Sequence, residues 1–433
     1  MSLALLPRGC FSLGFLAFLT SVSCAAGADE LQDVKSQLDD VQKRLTEVER
    51  ASPTATSNNA VTAGATKGSF KLPGSDTSVT LGGYVKLDAI FSDRSAGVGS
   101  TGDQELEPAT IAVGPSAGAN ERNQVKLHAR QSRLFAKTST PTPLGEAGSY
   151  VEFDLFGTSG NESVTNSNNL RVRHAYGTLG GLLFGQTWTA FSDVDAYPET
   201  VDFGGPAGQI FVRQAQVRWT QRFTGGQWVV ALENPETVAA QTNGTAFRAD
   251  DDRLPDLTAN VHFDTAFGRY TIAALVREVR VDSASDPASR SQKRGGAIGV
   301  NAIVPVVGKD DVRAYAYFGD AIGRYSAGFF ADGILSSTGT LRLPNQWIAA
   351  AAYRHFWSAN VRSTLALSAL ATQRTVDTAG SVNKGAQSAH LNLIWSPVAQ
   401  TNLGIEYIYA RRETSDGLAG RLNRVQAAAQ YFF

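Results

Sequence analysis

The chain is poor in sulfur. Its two cysteines, Cys10 and Cys24, and its only methionine, Met1, all lie near the start of a chain of 433 residues. They belong to a segment that is typical of a signal peptide, and cleavage after Ala28 would leave neither residue type in the mature chain. We therefore expect an exported protein whose fold is not held by disulfides and which has no thiolate zinc site.

The signal-peptide prediction covers residues 1–28. Arg8 is the basic residue near the start, an apolar run follows at 11–22, and small residues at 26–28 form a cleavage pattern. An uncleaved membrane anchor is the alternative, although the run is short for a spanning helix. A lipoprotein-type cut before Cys24 is also open, although the residues before it are a poor lead-in.

Excess charge and long apolar runs are missing too. The formal net charge is -1, so nothing favours a nucleic-acid partner, which prefers strongly basic surfaces. Beyond the signal peptide no stretch reaches the ~18 uncharged apolar residues of a spanning helix. The most apolar region, 346–371, is interrupted by Arg354 and Arg362. The exported chain is therefore predicted to be either soluble or a β-barrel.

Signatures of enzymes and metal sites are absent from the sequence. There is no GxxxxGK[ST], HExxH or GxSxG motif, and the five histidines are scattered without metal-ligand spacing. Paired carboxylates such as Glu152 and Asp154 are more often solvated than catalytic. We predict no enzyme activity, no cofactor and no metal, and keep a hydrolase built into a barrel as a minor alternative.

Residues 29–50 predict a coiled-coil helix. Apolar residues recur there at alternating spacings of three and four: Leu31, Val34, Leu38, Val41, Leu45 and Val48. This 3.5-residue repeat is that of a coiled-coil seam. Self-association is favoured because so narrow a stripe buries little in one helix, and docking on the chain's own domain is the alternative. Residues 51–78 begin small and polar and predict a linker.

The remainder, 79–433, has a period of two. Val85 and Leu87 alternate with Lys86 and Asp88, for example, as in a strand with one apolar and one polar face. The joints between candidate strands alternate between seven short turns and eight long loops, which gives sixteen strands. A transmembrane barrel has this sorting of turns and loops, whereas a soluble sandwich has no reason for it.

The predicted fold is all-β, a 16-stranded antiparallel transmembrane β-barrel preceded by a short N-terminal coiled-coil helix. An even strand count places both chain ends at the periplasmic side of an outer membrane. Near Gln131 the alternation of polar and apolar residues shifts by one position, which suggests a bulge in the second strand. A large exported soluble β protein, such as an adhesin or a glycan-active β-helix, is the alternative.

Arginine dominates the cations on the polar strand faces, with 28 Arg against 10 Lys after residue 28. Sixteen strands are wide enough to enclose an aqueous channel. Arginine binds carboxylate or phosphate through two parallel hydrogen bonds, so an arginine-rich inner wall would attract anions. The alternative is that these side chains pair with acids on neighbouring strands and brace the wall. The candidates are Lys86, Arg130, Arg171, Arg173, Arg218 and Arg354.

The long loop at 190–209 carries four acids, Asp193, Asp195, Glu199 and Asp202. If these acids face a basic wall, they create a transverse field at a constriction. An exposed acidic loop is an equally supported interpretation.

Several stretches resemble the DcaP-like outer-membrane porins: RVRHAYGTLGGLLFGQTWTAFSD, RQAQVRWTQRF, VVALENPE, ARQSRLFAKT and GYVKLDAIF. The resemblance implies a sixteen-stranded trimeric porin with a periplasmic coiled coil, an inward-folded third extracellular loop at 190–209, and uptake of small anionic solutes, especially dicarboxylates. By position it implies pore-lining roles for Arg130, Arg133, Arg171, Arg173 and Arg218. A phosphate-selective porin and a non-conducting structural or adhesive barrel remain alternatives.

The chain ends in RVQAAAQYFF, which has the pattern of a complete membrane strand. Val425, Tyr431 and Phe433 share its apolar face, and Arg424 and Gln426 share the polar one. The two aromatic residues fit an interfacial girdle. The terminal Phe433 also resembles the end signal read by the outer-membrane insertion machinery, which is therefore a predicted partner together with the outer-membrane lipid.

Overall fold

A computed structural model describes residues 28–51, 61–94, 103–115, 118–157, 164–166, 168–249, 252–282, 290–373 and 382–433. The chain divides into two compact units. One is Met1–Thr62 with Pro73–Ser75, and the other is Ala63–Leu72 with Asp76–Phe433. The predicted signal peptide lies outside the described residues except for Ala28.

The first unit contains one α-helix, α1, from Ala28 to Ala51. Val34, Leu38, Val41 and Leu45 of the heptad pattern are 58–62% exposed in the single chain. An apolar seam this open is what a coiled-coil partner would cover, so self-association remains a prediction. The part of the chain that the structure describes has no helix long and apolar enough to cross a membrane.

The second unit is a closed barrel of sixteen antiparallel strands, as the sequence predicts. The strands are β1 Ser78–Arg94, β2 Arg122–His128 continued by Arg133–Thr142, β3 Gly145–Asp154, β4 Arg171–Leu179, β5 Leu182–Trp188, β6 Arg213–Phe223, β7 Gly226–Glu233, β8 Asp256–Thr265, β9 Gly268–Asp282, β10 Arg290–Pro305, β11 Asp311–Gly319, β12 Gln346–Phe356, β13 Val361–Thr372, β14 Asn383–Val398, β15 Thr401–Thr414 and β16 Ala419–Phe432. Two short strands, Thr62–Ala63 and Phe70–Lys71, precede them.

Each strand pairs with its neighbours in sequence, and β16 pairs with β1 to close the barrel. The closing register runs from Arg424 opposite Ser92 to Phe432 opposite Tyr84. Two further backbone hydrogen bonds join Phe433 and Gly83, at 3.2 and 3.3 Å. Because the sixteen barrel strands form a closed ladder, the barrel can face lipid.

Turns and loops lie at opposite ends of the barrel. The seven turns are short, such as the Gly180–Gly181 turn between β4 and β5, where Gly180 has a φ of +57°. The loops at the other end are longer, with one exception. The β15–β16 connection spans only 415–418, because both strands extend further than the pattern predicts.

Strand β2 is interrupted where the sequence parity changes. Its two segments are separated by a turn in which Ser132 N donates to Ala129 O at 3.0 Å. Arg130 lies in this turn. The interruption lets strand β1 pair with both segments of β2.

The two faces of the barrel wall are inverted relative to a soluble protein. Large apolar side chains such as Leu87, Leu367 and Ile405 are about half exposed on the outside. Polar side chains such as Asn392 and Gln426 are 1–3% exposed on the inside. This distribution suits an outer face in lipid and a polar lumen.

Two long loops join in a small four-stranded sheet. The loop after β7 supplies Val238–Gln241 and Ala246–Arg248, and the loop after β11 supplies Gly333–Leu335 and Leu341–Arg342. A parallel pairing, which includes Ala239 opposite Gly333, connects the two loops. Buried Arg277 of β9 holds the second loop through an ion pair with Asp332. The loop after β11 is therefore fixed to the barrel wall.

Candidate functional site: the barrel lumen

The connection between β5 and β6, residues 189–212, lies inside the barrel and is called the inner loop below. Its backbone bonds to inward side chains of distant strands. Val201 N donates to Glu406 Oε2 at 2.8 Å, and Ala207 N donates to Ser388 Oγ at 2.9 Å. Asn392 Nδ2 donates to Glu199 O at 2.7 Å. The inner loop therefore lies against the inner wall of β14 and β15.

The first two acids of the inner loop bind β9. Asp193 accepts a hydrogen bond from Thr271 Oγ1 at 2.5 Å, and Asp195 forms an ion pair with Arg269 at 2.7 Å. Arg313 of β11 adds a hydrogen bond to the backbone oxygen of Asp195 at 2.9 Å. These contacts fix the start of the inner loop to the wall behind it.

The third acid, Glu199, binds two arginines of the same wall. Arg362 Nη2 lies 2.6 Å from Glu199 Oε1, and Arg354 Nη1 lies 3.4 Å from Oε2. Burial opposes ionisation of Glu199, but the two guanidinium groups outweigh it and hold the pKa of the carboxyl below its ordinary value. Arg354 also donates from Nε to Asp311 at 2.9 Å. Arg354 thus anchors the inner loop.

The fourth acid, Asp202, is buried. Its carboxylate accepts hydrogen bonds from the backbone nitrogens of Leu106 and Gly205 at 3.0 Å. Arg424 Nη1 lies 3.8 Å away. Burial raises the pKa of Asp202 although Arg424 acts in the opposite direction. Asp202 therefore ties the inner loop to the first extracellular loop.

The wall of β2, β3 and β4 carries a network of charges that includes three of the sequence candidates. Arg173 lies 2.6 Å from Glu152 and 3.0 Å from Asp154. Arg171 binds Asp154 through Nε and Nη2, at 3.0 and 2.8 Å. Arg133 lies 3.4 Å from Glu152. These arginines thus brace neighbouring strands, and Arg173 is itself only 3% exposed.

Aromatic rings extend this network across to the inner loop. Phe203 and Phe211 of the loop pack edge to face at 5.9 Å, and Phe211 packs on Trp188 at 4.9 Å. Arg173 lies 5.3 Å from the Phe203 ring. Arg213, at the start of β6, lies 4.2 Å from the Trp188 ring and 5.1 Å from the Phe211 ring. Cation–π contacts of this kind are favourable when water is excluded.

Two arginines of β6 have no carboxylate within ion-pair distance in the described part of the chain. Arg218 donates to Gln216 Oε1 at 2.9 Å and to the backbone oxygen of Trp188. Buried nitrogens Nε and Nη2 of Arg213 have no hydrogen-bond partner among the described residues. Arg213 is not among the sequence candidates. Because Arg213 is the first residue of its strand, the alternation of polar and apolar residues does not assign it to a face. It does lie within the stretch RQAQVRWTQRF, which carries the family resemblance.

The remaining two sequence candidates are buried and well bonded. Lys86 is 4% exposed, with Nζ 3.0 Å from Asp88 and 2.6 Å from Val201 O. Arg130 is 1% exposed and donates to the backbone oxygens of Leu155 and Gly157 at 3.1 and 2.6 Å. Both side chains stabilise the wall and loops and present little surface to a solute.

The charges of the lumen are unevenly distributed. Behind the inner loop, four arginines face four carboxylates: Arg269, Arg313, Arg354 and Arg362 with Asp193, Asp195, Glu199 and Asp311. On the opposite wall, five arginines face three carboxylates: Arg133, Arg171, Arg173, Arg213 and Arg218 with Glu152, Asp154 and Glu233. The first group is neutral, and the second carries an excess of two positive charges.

A cavity of about 310 Å³ lies above the inner loop, between the first loop, the inner loop and the loop after β11. Arg171 and Arg324 line it, with Phe211 and Phe329 among the apolar residues. Glu105 also lines it, and burial together with the nearby Asp202 carboxylate raises the pKa of Glu105 to about 8. The described residues contain no group of His, Cys, Asp or Glu that could hold a metal ion.

Comparisons with known proteins agree with this architecture. The family model of the DcaP outer membrane protein matches residues 56–433. The crystal structure of the outer membrane channel DcaP of Acinetobacter baumannii has 25% identity and a TM-score of 0.69, and the match covers 86% of this chain and 100% of that one.

More distant solved structures share the fold. An anion-selective porin from Comamonas acidovorans has 13% identity and a TM-score of 0.54, covering 82% of this chain and all of its own. The trimer form of OmpT from Vibrio cholerae has 10% identity and a TM-score of 0.51, covering 82% and 99%. No curated protein matches the chain.

Proposed function

Since the chain belongs to the DcaP outer membrane protein family and is therefore an outer-membrane channel rather than an enzyme, we propose that it passes small anionic solutes, such as dicarboxylates, by passive diffusion. The solute would cross a lumen that the inner loop narrows.

One observation carries the anion preference, namely the charge left over on the wall opposite the inner loop. Three acids of the inner loop, Asp193, Asp195 and Glu199, are neutralised by the arginines behind them. Among the described residues Arg213 and Arg218 have no carboxylate within ion-pair distance, so their positive charge would act on ions in the channel. An aqueous pore with an uncompensated cationic wall attracts anions and repels cations.

The residues that line the cavity above the inner loop favour a solute with two carboxylates. Arg171 and Arg324 both line it, and apolar side chains such as Pro206, Phe211 and Phe329 lie among the other lining residues. Glu105 and Glu107 line the cavity as well, and its two arginines are ion-paired, Arg171 with Asp154 and Arg324 with Asp256. Two guanidinium groups beside apolar side chains suit a short apolar chain with an anionic group at each end. The inner loop, anchored through Glu199 and Asp202, would act as the constriction below this cavity.

Single-channel recording in planar bilayers tests this proposal. In a potassium chloride gradient the reversal potential should indicate that chloride permeates better than potassium. Succinate should then reduce the chloride current at millimolar concentrations, because it occupies the same cationic wall. A reversal potential of the opposite sign would refute anion selectivity, and stronger block by phosphate than by succinate would favour a phosphate-selective porin. Absence of conductance would favour a structural barrel.

We further propose that the protein is a homotrimer with α1 in the periplasm. The heptad seam of α1 is open in the single chain, and both ends of an even-stranded barrel lie on the periplasmic side. One similar porin is described in a trimer form. Analytical ultracentrifugation in density-matched detergent would give the oligomeric state with and without residues 28–51.

A further inference from the structure

On the outer surface, near the extracellular end of the barrel, two arginines face each other across neighbouring strands. Arg411 of β15 pairs directly with Arg421 of β16. Both alternate in register with the exposed apolar residues Tyr407 and Val425, so both side chains point away from the lumen. Like charges at directly opposed positions destabilise a sheet. A counter-anion from outside the chain would remove this cost.

The surrounding charges do not cancel these arginines. Among the described residues Arg421 makes no hydrogen bond or ion pair. Arg411 lies 3.6 Å from Glu413, but Glu413 also binds Lys384 at 2.5 Å. One carboxylate is therefore shared by a lysine and an arginine, and the group of Lys384, Arg411, Glu413 and Arg421 has a net charge of +2.

A groove of about 110 Å³ adjoins this basic group on the outer surface. The groove forms because small residues lie beside Trp347 on the next two strands. Trp347 pairs with Ala371, and Ala371 pairs with Gly385. Trp347 lines the groove together with Lys384, Arg411 and Glu413. The floor of Ala and Gly leaves a depression between these side chains.

The height of the group on the barrel identifies its surroundings. Ten residues of β16 separate Arg421 from the periplasmic girdle residue Tyr431. At usual strand rise and tilt this distance spans about 25 Å along the barrel axis, the height of the apolar band. One step below Arg421, Asn423 accepts a hydrogen bond from the Tyr407 hydroxyl at 2.7 Å, as at a membrane interface. The arginines thus lie at the headgroup level of the extracellular leaflet.

We propose that this outer surface binds a phosphate-bearing lipid of the extracellular leaflet. Arg411, Arg421 and Lys384 would hold the phosphate, and the groove beside Trp347 would hold one acyl chain. Guanidinium groups bind phosphate through two parallel hydrogen bonds. Below the groove, Leu367 and Leu391 are each 54% exposed and continue the apolar path for the chain.

Native mass spectrometry of the purified full-length protein in detergent tests the proposal with lipid A carrying two phosphates. Arg411→Gln and Arg421→Gln should each weaken binding about fivefold, and the double variant about 25-fold, since each basic residue near an anionic lipid surface contributes about this much. Arg421→Lys should retain most of the affinity. Arg248→Gln, at an exposed loop arginine remote from the groove, is the matched control.

Two further arms separate phosphate recognition from general lipid binding. Dephosphorylated lipid A should bind the wild type at least tenfold more weakly, and free inorganic phosphate should not compete at millimolar concentrations. Ala371→Leu should fill the groove and weaken binding without changing single-channel conductance. Equal affinity of the double variant and the wild type would overturn the proposal, as would equal binding of the dephosphorylated lipid. If the double variant differed from the wild type in oligomer mass but bound the lipid equally well, a second copy of the chain would cover this surface instead of a lipid.

Discussion

Glu199 and Arg362 form an ion pair across 163 residues of sequence. Arg362 donates from Nε and Nη2 to the Glu199 carboxylate, at 2.8 and 2.6 Å. One partner lies on the inner loop and the other at the periplasmic end of β13. The pair therefore holds the inner loop close to the wall of the barrel.

The first prediction concerns this anchor. Glu199→Gln should lower the local stability of the inner loop by roughly 1–3 kcal/mol, since bonds to charged groups contribute about that much. Backbone amides near Val201 should exchange hydrogen faster, and single-channel current should become noisier. Asp195→Asn, whose carboxylate side chain is 61% exposed, is the control and should cost less. Equal effects of the two variants would contradict the anchor role of Glu199.

The second prediction concerns the uncompensated charge. Arg213→Gln should lower the ratio of chloride to potassium permeability about fivefold, which corresponds to about 1 kcal/mol for one unit charge close to a passing ion in water. Arg213→Lys should keep most of the preference because it keeps the charge. Arg222→Gln changes an exposed arginine at the far end of the same strand and should have a smaller effect. An unchanged reversal potential for Arg213→Gln would mean that the selectivity arises elsewhere.

The third prediction concerns pH. A carboxyl group whose pKa is raised to about 8 is mostly neutral at pH 7 and becomes negative as the pH rises further. Ionised Glu105 would offset the charge of nearby Arg171, so anion preference should fall between pH 7 and pH 9. Reversal potentials measured across this range should show the step in the wild type and in Glu107→Gln. The step should vanish in Glu105→Gln, and its persistence there would exclude Glu105 as its source.

The fourth prediction concerns the C-terminus. Deletion of residues 431–433 should lower the yield of barrel in the outer membrane far more than deletion of 28–51. The deletion removes the backbone bonds to Gly83 and the Phe432 ring that packs on Tyr84 at 5.6 Å. Phe433→Ala keeps the backbone bonds and tests the terminal side chain alone. Heat-modifiability on gels measures how much of each variant is folded, and membrane fractionation measures how much reaches the outer membrane. Similar yields for the two deletions would contradict a role of residues 431–433 in membrane insertion.

The barrel could be predicted from the sequence because its two signals are local. Strand faces follow from alternation within about ten residues, and the sorting of turns from loops needs only their lengths. Parity also placed Arg171 and Arg173 on the inner face. It could not reveal that Asp154 would neutralise part of their charge, because this depends on cross-strand register and on the irregular register between β3 and β4.

The candidate site was harder to predict because its partners are far apart in the chain. Four acids on one loop suggested a field across the channel, but their partners are fixed by the route of the loop along the wall. The sequence contains no local sign that Glu199 meets Arg362. Arg213 was missed for a related reason. Alternation of polar and apolar residues assigns a side chain to the inner or outer face only within a strand, and Arg213 is the first residue of its strand. That no carboxylate pairs with Arg213 in the described part of the chain becomes visible only once the fold is known.

The seam between β1 and β16 sets an order of assembly. Every other pairing among the sixteen strands joins strands that are adjacent in sequence, so each hairpin closes over a single turn or loop. The seam alone is non-local, as in the bond from Gln426 to Asp88, which are 338 residues apart. In a chain with no other strands paired, closing a flexible loop of that length would cost on the order of 5 kcal/mol in chain entropy, several times the cost for a hairpin turn. The hairpins are therefore expected to form before the seam. Until β16 arrives, an incomplete barrel has two open edges, and its final strand removes both in one step.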